Sequence, residues 1–193
     1  YQDFVLFEKL CFRDEFPIPM SDPFLIRYGE YEFALRNLNF KPGDRVVDLG
    51  CDTNLLMLYL SSVGLYVTGV DLDQHRIEPI VKQRLEVVRR ITGRSLGLRF
   101  AWEDATFLPS FSDESVDKIT AISSIEHMFS EKGNGDSLAV KQIARVLKPD
   151  GHCVITVPCS GFNFQESPKG DDRYPGPYRI YTVNALHERI VKA

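Results

Sequence analysis

The sequence predicts an α/β fold: a doubly wound, mostly parallel sheet with helices on both faces. Three observations lead there. Short β-rich runs alternate with helical stretches from residue 44 to residue 191. The longest helical stretch repeats its apolar residues at spacings of three and four. Three of the five β-runs are followed by Gly50, Asp71 or Ser123, where a chain turns into the next helix. Strands alternating with helices give a parallel sheet covered on both sides.

The elements follow in order. Residues 44–49 (DRVVDL), after the turn signal Lys41-Pro42-Gly43-Asp44, read as a buried strand. Residues 54–62 (NLLMLYLSS) read as a short helix ending near Gly64, and 65–70 (LYVTGV) as the second strand. From Gln74 to Ile91 the apolar residues Ile77, Ile80, Val81, Leu85, Val88 and Ile91 form an amphipathic helix. Pro79 falls near its first turn, where proline is tolerated. Residues 98–102 and 116–122 give the third and fourth strands. A helix over 137–147 is expected to stop at Pro149-Asp150-Gly151, before a fifth strand at 152–157. Residues 160–177, rich in Gly, Pro and charge, read as a long loop. A last helix spans 182–191, with Thr182 as N-cap.

The first 40 residues differ. They crowd Phe4, Phe7, Phe12, Phe16, Phe24, Tyr28, Tyr31, Phe33 and Phe40 into an extension that is helical at least over 22–38. Two organisational units result: an aromatic-rich extension over 1–40 and a sheet domain over 41–193. The aromatics either pack on the sheet domain or form a lid over a pocket.

Composition narrows the function. The 193 residues are 44% hydrophobic and 26% charged, ordinary for one globular core. A net charge of -4 gives no general electrostatic support for a nucleic-acid partner. No apolar run approaches the roughly 18 residues of a membrane span, and the first residues show no signal-peptide pattern. Cys11, Cys51, Cys153 and Cys159 form no C-x-x-C pair, so free thiols in a reducing cytoplasm are expected. The four histidines lack zinc-type spacing, so no metal is expected. There is no G-x-S-x-G elbow and no G-x-x-x-x-G-K-[ST] loop.

In an open parallel sheet, ligands bind beyond the carboxyl ends of the strands. Five segments land there: Asp48 to Asn54, Asp71-Leu72-Asp73, Glu103-Asp104-Ala105, Ser123 to His127, and Pro158-Cys159-Ser160. Gly50 lets backbone approach a ligand, and a carboxylate at Asp71 is placed to accept ribose hydroxyls.

Several stretches together resemble the class I S-adenosylmethionine (SAM)-dependent methyltransferases, small-molecule type, from about Gly43 to Val157. They are VVDLGC at 46–51, VTGVDLD at 67–73, EDATFLP at 103–109, FSDESVDKI at 111–119, SSIEHM at 123–128 and VLKPDGHCVITVP at 146–158. The upstream RYGEYEFALRNLNFKPGD at 27–44 is similar to the leader of such enzymes. The resemblance implies a Rossmann-like fold, SAM as cofactor and a small-molecule acceptor. It implies that Asp48, Gly50 and Cys51 hold the methionine end. Asp71 and Leu72 would meet the ribose, Asp104 and Ala105 the adenine, and Ser123 or Ser124 the sulfonium. Glu126 and His127 would face the cofactor's reactive side or the acceptor, as catalytic candidates. It further implies two closing strands after the last helix, expected beyond Ala193.

The glycine loop departs from the family pattern: Asp52 and Asn54 stand where glycines are usual. Both residue types tolerate positive φ, but Asp52 adds a carboxylate beside the one SAM brings. A non-catalytic binding or scaffold protein with this fold is therefore an alternative. A nicotinamide-dependent oxidoreductase is another, against the absence of G-x-G-x-x-G. Plainer roles also stand: Asp48 as a turn acid, Asp71 as a strand-end acid, Cys51 as a packed residue, His127 as a satisfied helix-start histidine, Tyr28 and Tyr31 as packing, Arg27 as a surface charge.

Overall fold

The computed structural model describes residues 2–12, 23–172 and 175–193, without the side chains of 8–12 and 23–26. Its centre is a five-stranded sheet of β1 (Arg45–Leu49), β2 (Tyr66–Val70), β3 (Leu98–Ala101), β4 (Val116–Ile122) and β5 (Leu147–Thr156), every neighbouring pair parallel. The order is β3-β2-β1-β4-β5. The chain leaves β1 for β2 on one side and returns to β4 on the other, so the carboxyl ends of β1 and β4 form the topological switch point.

The period-two alternation of β1 supplies two cores. Val46 joins one apolar layer, and Val47 and Leu49 join the other. The first layer holds α1 (Gln2–Phe12), α2 (Pro23–Asn37), α3 (Leu55–Ser62) and α4 (Gln74–Thr92) through Phe4, Tyr31, Ala34, Leu56, Leu60, Ile77, Val81 and Val88. The second holds α5 (Gly135–Val146) and the last helix through Ile143, Val146 and Ile190. That last helix begins as α6 (Val183–Leu186), capped by Thr182 Oγ1 on the Ala185 N–H, and continues as a π turn over His187–Val191.

The short helix α3 has apolar residues on every side, and seven of its eight residues are buried. A helix with no polar face needs a cover on both sides. One is the sheet; the other is α1. Phe4 and Phe7 set their rings edge-on against Tyr59, at centroid distances of 5.4 and 5.5 Å, and Phe4 also meets Tyr31 at 5.6 Å. These aromatics pack. Phe33 is exposed; Phe16 and the side chains of Phe12 and Phe24 lie outside the described residues, as does Asp22.

Two expectations need correction. Pro149-Asp150-Gly151 does not separate helix from strand: α5 ends at Val146 and β5 begins at once, with the Pro-Asp-Gly turn as an irregularity inside it. Residues 160–177 are not all loop. β6 (Gln165–Ser167) pairs antiparallel with β7 (Tyr178–Ile180). Pro79 sits exposed within α4, near its first turn as expected.

The ribbon is fixed by buried charge rather than by apolar alternation. Arg179, fully buried, donates to Glu166 (2.7 Å), to the Met128 carbonyl (2.7 Å) and to the Gly133 carbonyl (3.0 Å), and lies 3.7 Å over the Phe129 ring. Asp136, also fully buried, accepts from Arg189 Nε at 2.6 Å and from the Tyr181 hydroxyl at 2.9 Å. Nearly every arm of both guanidinia is matched, the condition under which buried ions are tolerated. No helix among the described residues is long and apolar enough to cross a membrane.

Candidate functional site

The switch point is built by three turns and one helix. After β1, Asp48 is buried and its carboxylate is held from both sides: Thr120 Oγ1 donates to Oδ1 and Asn54 Nδ2 donates to Oδ2, each at 2.6 Å. Burial pushes its carboxyl up to about 6; the bonds from Thr120 and Asn54 work against that, and the Asp71 charge adds to it. Asn54 also caps α3, its Oδ1 accepting from the Met57 N–H at 3.1 Å. The third glycine of the usual loop is thus replaced by a residue with two jobs, one of which is to orient Asp48.

Gly50 has φ +65°, and its N–H donates to the Val70 carbonyl at 2.8 Å. A Cβ there would stand 2.5 Å from the Cβ of Ser124. The turns after β1 and β4 therefore meet backbone against side chain, and only glycine fits. Cys51 is fully buried against Gly69, and burial pushes its thiol up, the state of an inert packed cysteine.

Asp52 has φ +42°, the left-handed conformation of the glycine it replaces. Its N–H donates to Asp71 Oδ2 at 3.0 Å, and its own carboxylate accepts from Arg76 at 2.7 Å. The added carboxylate is thus paired. Asp71, after β2, also accepts from the Leu72 and Asp73 N–H groups at Oδ1, at 2.8 and 3.1 Å. Three of about four acceptor positions are used, which fixes the carboxylate and leaves room at Oδ2. Leu72 is exposed.

After β3, Asp104 is exposed and accepts from the Thr106 N–H at 2.8 Å within its own turn; Ala105 is buried behind it. After β4, Ser123 has φ +43°. Its N–H donates to Thr156, to the carbonyl and to Oγ1, each at 3.0 Å. Its Oγ donates to Glu30 on α2 at 2.7 Å. Glu30 also accepts from Arg27 at 3.0 Å, and Arg27 donates to the Ile122 carbonyl at 3.2 Å.

Glu126 and His127 follow in a single 3-10 turn, Ile125–His127. Glu126 is buried, and burial pushes its carboxyl up to about 8; its own backbone N–H and Arg27 oppose this, and Glu30 reinforces it. Glu126 Oε2 and Ser124 Oγ are buried without a hydrogen-bond partner among the described residues. His127 is half exposed. Its Nδ1 lies 2.6 Å from the Pro177 carbonyl, which makes Nδ1 the protonated nitrogen and leaves Nε2 as an acceptor.

Residues 47–155 match the methyltransferase domain family. The chain belongs to the class I SAM-dependent methyltransferases. An O-methyltransferase from Pyrenophora dematioidea is 34% identical over 123 residues, 63% of this chain and 42% of the relative. Methyltransferase GfsG from Streptomyces halstedii is 30% identical over 142 residues, 72% of this chain and 47% of the relative. The chain spans about half the length of the curated relatives it matches. Among solved structures, 1,6-didemethyltoxoflavin-N1-methyltransferase from Burkholderia thailandensis, with its ligand and S-adenosylhomocysteine bound, aligns with a TM-score of 0.65 at 20% identity. That alignment covers 99% of this chain and 74% of the other. The [4+2]-cyclase SpnF aligns at 0.62 and 24% identity, over 84% and 54%. At those identities the structures speak for the fold.

In this methyltransferase fold Asp48, Gly50, Asp71, Ser123, Glu126 and His127 gather at the carboxyl ends of β1, β2 and β4. Asp104 and Ala105 follow on the turn after β3, the strand beside β2, and Leu72 is exposed. Sequence reasoning missed three contributors. Arg76 and Thr120 carry no motif, and nothing singles out Glu30 within the 27–44 stretch; each is identified only by the partner it meets across 24, 72 or 93 residues.

Proposed function

We propose that the chain is the cofactor-binding part of a SAM-dependent methyltransferase acting on a small molecule. The observation that carries the reading is the switch point itself. Gly50 clears a backbone approach, Asp71 is held by three N–H groups with capacity left at Oδ2, and Ser124 presents an unpartnered buried hydroxyl. These features fit SAM. Bound there, SAM would supply an electrophilic methyl group.

The residue roles are those the family resemblance implies. Gly50 and Asp48 shape the wall for the methionine end, with Cys51 packed behind. Asp71 takes a ribose hydroxyl at Oδ2 beside Leu72, and Asp104 and Ala105 line the adenine end. Ser123 faces the reacting centre. For an acceptor with a proton to lose, His127 Nε2 is the base, because the Pro177 carbonyl holds its tautomer. Glu126 keeps its proton at neutral pH and acts as a hydrogen-bond donor below about pH 8. On this reading α2 and the described residues of the 158–180 segment form the acceptor side.

The test is transfer of labelled methyl from SAM to a panel of small phenols, amines and carboxylates, with NAD and NADP turnover as the control. Label in a small product, reduced in His127→Ala, supports the reading. Nicotinamide turnover without methyl transfer replaces it with the oxidoreductase reading.

A further inference from the structure

We propose that Glu30, on α2, is a specificity-determining residue that makes the site prefer the cationic methyl donor over its neutral product, acting through Ser123. The proposal rests on the SAM reading above and deepens it.

Ser123 is held in a conformation that a non-glycine residue rarely adopts, φ +43°, at the mouth of the β1–β4 switch point. Three bonds hold it: two from its N–H to Thr156 and one from its Oγ to Glu30. A hydroxyl has one proton. Because Ser123 gives that proton to Glu30, it can turn only lone pairs toward the site. A charged acceptor makes this bond short, 2.7 Å, and polarises the oxygen further. An oxygen of that kind favours a positive group and offers nothing to a neutral thioether.

The surroundings do not cancel the effect. Arg27 opposes Glu30, but it is also turned to the Ile122 carbonyl, and its side chain is more than one-third exposed. Asp48 and Asp71 stand on the same edge of the sheet, and the Asp71 charge is felt at Asp48. Thus the middle of α2 contributes a carboxylate to a rim that already carries Asp48 and Asp71. A role as simple structural latch would hold the β4 turn equally well for any ligand; a role in selectivity separates ligands by charge.

Calorimetric titration of the whole chain tests this with two probes: S-adenosylhomocysteine, neutral at the reacting position, and sinefungin, which carries an amine there. Glu30→Gln keeps an oxygen for Ser123 Oγ and removes the charge. Ser123→Ala removes the relay and is the second variant, with thermal unfolding of both as the check on folding. The expected result is a loss of at least about fivefold in sinefungin affinity and less than about twofold for S-adenosylhomocysteine, in both variants. Equal losses for the two probes, or no loss for either, overturn the proposal and leave the SAM site standing. Wild-type protein that binds neither probe overturns the SAM reading, and this proposal with it.

Discussion

Replacing Gly50 by alanine tests whether the turns after β1 and β4 meet as closely as described. Two costs are expected. A residue with Cβ at φ +65° loses about 1–2 kcal/mol relative to glycine. The new methyl would also stand 2.5 Å from the Cβ of Ser124, which is buried and begins the Glu126–His127 turn. Forcing an extra methyl into a packed place costs about 1–3 kcal/mol more. Gly93 supplies the control: its φ is +66°, and nothing lies within 4 Å of where its Cβ would be. Gly93→Ala should therefore lose about 1–2 kcal/mol and Gly50→Ala about 2–5 kcal/mol. Urea unfolding followed by circular dichroism measures both. If the two variants lose the same stability, the close approach at Gly50 is wrong.

Other outcomes follow from the same geometry. Glu126 binds its proton more tightly folded than unfolded, so it costs stability as pH rises from about 4.5 to about 8; Glu126→Gln should gain on wild type across that window, by a few kcal/mol at about 1.4 per pH unit. Unfolding curves at pH 5 and pH 8 read this directly, and a pH-independent difference refutes it. Arg179→Met leaves Glu166 and the Met128 carbonyl without the donor they have in Arg179 and should cost about 3–5 kcal/mol. An unchanged melting temperature would contradict it. Arg76→Met should leave stability within about 1 kcal/mol, since the pair is exposed, while weakening SAM binding several-fold because Asp52 is left uncompensated. Equal SAM affinity by calorimetry would show that Asp52 does not face the ligand.

The parts of the fold that were legible are those fixed by local pattern. Val46 and Val47 alternate between layers as a strand requires, and the three-four spacing from Ile77 to Val88 places α4. Thr182 caps the last helix because its hydroxyl is in reach of the Ala185 N–H. The β6–β7 ribbon was not legible. Its strands have three residues each and are held by Arg179 and Asp136, whose burial is decided by partners some 45–51 residues away. Pro149-Asp150-Gly151 carries a turn signal, and there is a turn; the sequence does not say that the strand resumes pairing on both sides of it. At the site, Asp48, Gly50 and Asp71 are recognisable because a strand end followed by a tight turn is a local feature. The tolerance of Asp52 and Asn54 is explained only by Arg76 and by the cap of α3. Glu30 lies in a helix with almost no apolar stripe, where one carboxylate reads like any other, and its importance comes from Ser123.

If SAM binds at the carboxyl ends of β1, β2 and β4 with its ribose at Asp71, calorimetric titration of S-adenosylhomocysteine separates wild-type protein from Asp71→Ala. Micromolar binding is expected for wild type and a loss of at least about tenfold for the variant, the worth of a hydrogen bond to a charged acceptor. Wild-type binding that survives Asp71→Ala unchanged, or no binding to wild type at all, would contradict that placement.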